Sequence, residues 1–223
     1  MKGLKFLFGL GFRHIVLNII SVLFIAAMPV VAILVHEPLG SEDYIMCKIG
    51  VHIGDMFAVS INLILLCADI TSSRLVRSIP FAKPLRQSAI PLYCIIVSGA
   101  PTMLINGAYA IFCMASGLDM CNISDMLIVS ASTMACFIII GTIALNTYYG
   151  IWLVIFVTFP VGVEILALGN DVWRFGFGLP VWAGAAIFLG ALAVSAAIAF
   201  ALGRFIYSKS DFKPYMQNSK FTA

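Results

Sequence analysis

The chain has 223 residues, 62% of them hydrophobic and only 10% charged, and its thirteen Lys and Arg against ten Asp and Glu leave a net charge of +3. A mean hydropathy of +1.07 excludes a soluble globular domain, which carries roughly one quarter charged residues. The apolar blocks repeatedly reach the roughly 20 residues that a helix needs to cross about 30 Å of hydrocarbon. An all-α integral membrane protein is expected.

In chain order, residues 1–13 (MKGLKFLFGLGFR) place Leu4, Leu7, Phe8 and Gly11 at helical spacing, with Lys2 and Lys5 away from that stripe. This pattern predicts an amphipathic helix lying in the membrane interface. Six spans follow within 14–207: His14–Val35, Ile49–Ile70, Ala89–Met114, Met126–Leu145, Tyr149–Leu168 and Val181–Tyr207. Only NTYYG separates the fourth from the fifth. A single helix of that combined length is too long for one crossing, so a tight turn is the better reading. The first span has a basic start, but its apolar run is longer than that of a cleavable signal and is read as a retained helix. Residues 208–223 form a tail.

The cations set the orientation. With the N-terminus inside, Lys2, Lys5, Arg13, Arg74, Arg77, Lys83, Arg86, Arg204, Lys209, Lys213 and Lys220 fall on the cytoplasmic side, and only Lys48 and Arg174 fall outside. Eleven against two is the bias that the positive-inside rule demands of an N-in, C-in protein. The outer segments carry Glu37, Glu42, Asp43, Asp119, Asp125 and Asp171 instead.

Residues 70–88, ITSSRLVRSIPFAKPLRQS, concentrate four of those cations with two prolines. Topology marking and attraction to anionic headgroups account for the charge. The arrangement also fits a short helix across the inner mouth, capped by Ser72 or Ser73, with Leu75, Val76 and Ile79 on one face. Pro80 and Pro84 then limit its continuation and bend the chain before the third span. Such a helix has the shape to dock into a groove on a cytoplasmic partner. The outer link 169–180 is rich in glycine, tryptophan and proline; it reads as a re-entrant helical element with Trp173 and Trp182 at headgroup depth, or as an ordinary hairpin with interfacial aromatics.

An interfacial N-terminal helix, six spans with both ends inside, a basic loop between spans two and three and a re-entrant element between spans five and six resemble the ABC-2 type permeases, the membrane subunits of ATP-driven exporters. The best local match is RLVRSIPFAKPLRQSA, an apolar stretch, a proline and a basic residue leading into span three. Where small permeases of this pattern often read Leu-Pro, then Ser or Thr, then Arg, this chain has Ile79-Pro80 followed by Phe81, Ala82 and Lys83. The resemblance implies that the 70–88 loop couples to an ABC ATPase, with Ser73, Arg74, Arg77, Ile79, Pro80 and Phe81 at the contact. It further implies a second permease chain, most simply a homodimer, and export of a peptide or other amphipathic substrate. A cell membrane, in a bacterium the plasma membrane, is the location it implies. No GxxxxGK[ST] occurs in the sequence, so ATP and Mg belong to the partner chain. The chain is read as a transport subunit rather than an enzyme, without a cofactor or a nucleic-acid partner of its own.

Polar groups inside spans are costly and mark pathways. His52 and Asp55 are three apart on one face of span two, either paired or snorkelling to headgroup level. Glu164, near the outer end of span five, is a candidate gate residue or a structural hydrogen-bonding group. Asn62 is a further candidate because the resemblance places spans two and five along the central path. Asn18, Asn106 and Asn146 are expected to bond between helices. The six cysteines lack any CxxC and show no zinc pattern; Cys47 and Cys121 both fall outside and can pair, while Cys67, Cys94, Cys113 and Cys136 are expected as buried apolar residues. Two other classes compete: an ion-coupled secondary transporter or channel using His52, Asp55 and Glu164, and a six-helix vitamin-uptake subunit that borrows an external ATPase.

Overall fold

The computed structural model describes residues 3–10, 16, 19–20, 23, 49–50, 52–54, 59–60, 63–66, 82–115, 121–147, 162 and 176–209. Among them every regular element is a helix and none is a strand. Residues 3–10 form α1. A helical stretch opens with Ala82–Pro84, passes through a π-helical turn at Leu85–Ala89 and continues as α2, Ile90–Ala115; α3 is Cys121–Thr147 and α4 is Val181–Lys209. Three segments, Leu85–Ala115, Ile123–Thr147 and Val181–Ser208, are long and apolar enough to cross a membrane. They coincide with the third, fourth and sixth expected spans.

Proline chemistry explains the π turn. Pro91 has no N–H, so the Gln87 carbonyl loses its ordinary helical partner. The chain accommodates the gap by widening: the Ile90 N–H reaches back five residues to the Leu85 carbonyl, the hydrogen-bond pattern of a π-helix. Pro84, expected to help bend the chain, lies instead within the helical stretch. In a first turn the missing N–H has no partner to lose, so the ring is tolerated there.

Close contacts fix the helix directions. A Cβ on Gly203 would lie 2.9 Å from the Arg86 carbonyl oxygen, and one on Gly99 would lie 3.7 Å from Leu192 Cδ1, so α2 and α4 are antiparallel. Gly184 meets Ser124, and Phe188 and Ala199 share a core with Ala131, Met134 and Ile138, so α3 and α4 run the same way. They make the most extensive helix pair among the described elements. A Cβ on Gly141 would lie 3.2 Å from both Cys94 Sγ and Leu63 Cδ1, while His52 approaches Ser130. The pieces within 49–66 therefore descend parallel to α3.

One end of the bundle carries Lys5, Lys83, Arg86 and Arg204 and is called here the basic end. There α1 buries Leu7 in a core with Leu63, Leu66, Leu85, Ile90, Tyr93 and Leu145, and the Phe8 and Tyr93 rings sit with centroids 5.1 Å apart. Lys5 stays exposed, as the sequence stripe requires. Cys94 and Cys113 are buried and Cys136 is half-buried, all three as thiols outside any disulfide; Cys47 and Cys67 lie outside the described residues. Of 169–180, residues 176–180 are described and have no regular structure, with φ of 69° at Gly176 and 63° at Gly178.

Candidate functional site: a buried polar row between helices

On α2, Ser98, Thr102 and Asn106 recur every fourth residue and so lie on one face. All three are buried, and they flank the middle of the Leu85–Ala115 span. Pro101 lies inside this stretch and leaves the Val97 carbonyl without its usual helical donor. Ser130 of α3 meets this face and His52 of the 49–66 pieces meets Ser130; both are buried, as are Thr133 of α3 and Ser60.

The row is joined by long hydrogen bonds. Ser130 Oγ donates to Asn106 Oδ1 at 3.4 Å and lies 3.5 Å from His52 Nδ1. A serine hydroxyl has one hydrogen; with it committed to Asn106, the imidazole Nδ1–H is the donor to Ser130. Asn106 Nδ2 in turn donates to the Thr102 carbonyl at 2.8 Å. The result is a directed chain, His52 to Ser130 to Asn106 to the α2 backbone, linking three segments. Ser98 Oγ, at the basic-end side of the row, is buried with no hydrogen-bond partner among the described residues. A buried hydroxyl in that condition is a place for water or a polar solute.

A second polar assembly closes the far end. The Asp125 carboxylate accepts a 2.8 Å bond from the Phe177 N–H, and Ser124 Oγ donates to the Pro180 carbonyl at 3.4 Å. The left-handed Gly176 is pressed so closely onto Asp125 that a Cβ there would overlap Oδ2, and a Cβ on Gly184 would lie 2.8 Å from Ser124 Cα. Two glycines without side chains thus let 176–184 lie flat on the start of α3.

Of the candidate residues read from the sequence, His52 alone is described, and it is fully buried rather than at an exposed rim. Ser73, Arg74, Arg77, Ile79, Pro80 and Phe81 lie outside the described residues, as do Asp55, Asn62 and Glu164. Asn106 makes the interhelical bond expected of it. Asn146 does not: its Nδ2 turns back to the Thr142 carbonyl of its own helix at 2.8 Å. Ser98, Thr102 and Ser130 were invisible as a site in the sequence, although the four-residue spacing of the α2 members was there to find. Asp125 read only as one of several outer acids, and no local signal ties it to Phe177.

Among the described residues no group of three His, Cys, Asp or Glu side chains is placed to hold a metal ion. Compared with protein-family models, curated proteins and solved structures, the chain matches none of them. What the fold and the row define is a helical protein with three helices long and apolar enough to cross a membrane and a buried polar seam between helices.

Proposed function

We propose that the chain is a six-span transport subunit, the permease of an ABC exporter that moves a peptide or other amphipathic substrate using a separate ATPase. The observation that carries transport is the buried row Ser98, Thr102, Asn106, Ser130 and His52, which runs from near the middle of the Leu85–Ala115 span toward the far end. Part of the row joins helices, but the fully buried imidazole and the unpartnered Ser98 hydroxyl go beyond what helix packing needs and suit a polar path. The ATPase half of the reading rests on the basic 70–88 loop and on its likeness to the coupling loop of ABC-2 permeases.

Helix direction supports the six spans. α1 packs at the basic end, whereas the 49–66 pieces begin near Ser130, away from that end. α3 finishes near the basic end, whereas α4 starts at the far end. The first and fifth spans expected from the sequence would each supply the return that these ends call for. The basic end then faces the cytoplasm.

A second reading, an ion-coupled transporter, is favoured by one feature: a fully buried imidazole whose Nδ1 is committed to Ser130. The discriminating experiment is purification of the tagged chain from its own host in mild detergent, with mass spectrometry of what remains bound. Recovery of a P-loop ATPase, lost when Arg74, Arg77 and Phe81 are replaced, supports the exporter. A chain that comes out alone and moves substrate without ATP sinks it and leaves the ion-coupled reading.

A further inference from the structure

On the face of α2 that carries the polar row, the step after Ser98 toward the basic end is Cys94, which is fully buried. There the row stops. From Val97 back to Leu85 the α2 stretch contributes to one apolar core, shared with Leu63, Phe137, Leu145 and Leu7 of α1. Twelve residues of helix rise about 18 Å, more than half of the roughly 30 Å of hydrocarbon that a span must cross. While this core is intact, the row has no polar continuation to the basic end along that face.

Of the contributors to this core, α1 has somewhere else to go. It is short and amphipathic, with Lys5 exposed and Leu7 fully buried. Such a helix is also stable lying in the membrane interface, and apolar side chains lose little by exchanging protein for lipid. Its seated position carries a cost. A Cβ on Gly3 would lie 3.0 Å from Ala89 Cβ, and the Phe8 ring packs on Tyr93. Tyr93 is fully buried, and its hydroxyl has no hydrogen-bond partner among the described residues. A buried hydroxyl left in that condition is destabilising, and water reaching it relieves the cost. We infer that α1 is a removable plug. Seated, it completes the apolar core between the polar row and the basic end; lifted into the interface, it admits water to Tyr93 and Cys94. That the opening serves passage of a solute rests on the transport reading above, whereas the movement itself does not.

The full chain is placed in lipid nanodiscs and treated with a small maleimide, and each labelled cysteine is located by mass spectrometry. Gly3→Cys with Ala89→Cys supplies a lock, because the two Cβ atoms start 3.0 Å apart, within about half an ångström of the disulfide range. Closing the lock with diamide is expected to slow labelling of Cys94 about tenfold, by removing the minor lifted state, and reduction is expected to restore it. Cys113, buried in the far half of α2, is the control and should label at an unchanged rate. Leu7→Ala is expected to speed labelling of Cys94 about tenfold, with a thermal melt to separate a lifted α1 from a lost fold; the lock needs no such control. Labelling of Cys94 that the lock leaves unchanged would overturn the plug. So would equal slowing at Cys94 and Cys113, which would mean a general tightening of the bundle. No substrate or ATP enters the measurement, so the exporter reading can fail its own test and leave the plug standing.

Discussion

Helices α3 and α4 are alike in length and oiliness, yet 56% of the most apolar stretch of the first is buried inside the protein and only 17% of that of the second. The difference lies in their polar residues. α3 carries Ser124, Asp125, Ser130, Thr133, Thr142 and Asn146, all buried. α4 has one buried hydroxyl, Ser195, and it returns to the Leu192 carbonyl of its own helix at 3.1 Å. Apolar content says that a helix can enter the bilayer, while the placing of its few polar groups says whether protein or lipid surrounds it. α4 is held by glycine contacts near its two ends and presents Leu189, Val194 and Ile198 outward between them.

The sharpest way to break that comparison is at the end contacts. Gly184→Leu must push α4 off the Ser124 backbone, which cannot yield as a side chain would. It is expected to cost about 3 kcal/mol or more, read as unfolding in mixed micelles; an unchanged midpoint would mean that α4 is not anchored there. Gly176→Ala, in left-handed backbone against Asp125, is expected to cost about 2 kcal/mol, and Asp125→Ala about as much by stranding the Phe177 N–H. Asp125→Asn keeps an acceptor and should lose less than Asp125→Ala; equal losses in the two would discount the hydrogen bond. Ser130→Ala, within α3's polar face, is expected to cost about 0.6 kcal/mol, and transport rather than stability should register it. Leu189→Ala on the outer face of α4 is expected to shift stability by less than about 0.5 kcal/mol. A large loss there would reveal a protein neighbour where lipid is expected.

These residues also mark how far the sequence could be read. The hydropathy of ALAVSAAIAFALG has only one structural solution in a membrane, and α4 starts at Val181, where the sixth span is expected. The fourth span was drawn too short, from Met126, because CNISD looks like an outer loop; in the structure its Ser124 and Asp125 are buried under 176–180. Their bonding partners lie more than fifty residues away, and no local pattern encodes such a pairing. Pro84 misled for a related reason, since a proline breaks or begins a helix depending on which carbonyls precede it. Ser98, Thr102 and Asn106 had the right spacing, but their meaning depends on His52 and Ser130 arriving from other segments.

The parallel pairing of α3 and α4 has a consequence for how the chain is made. The two helices form the most extensive contact described, yet thirty-three residues, 148–180, separate them in synthesis. Until 176–180 is made, the Asp125 carboxylate and the Ser124 hydroxyl lack their bonds to Phe177 and Pro180. The nascent bundle therefore lacks the bonds that lay 176–184 on the start of α3, and α4 docks along α3 only once they form.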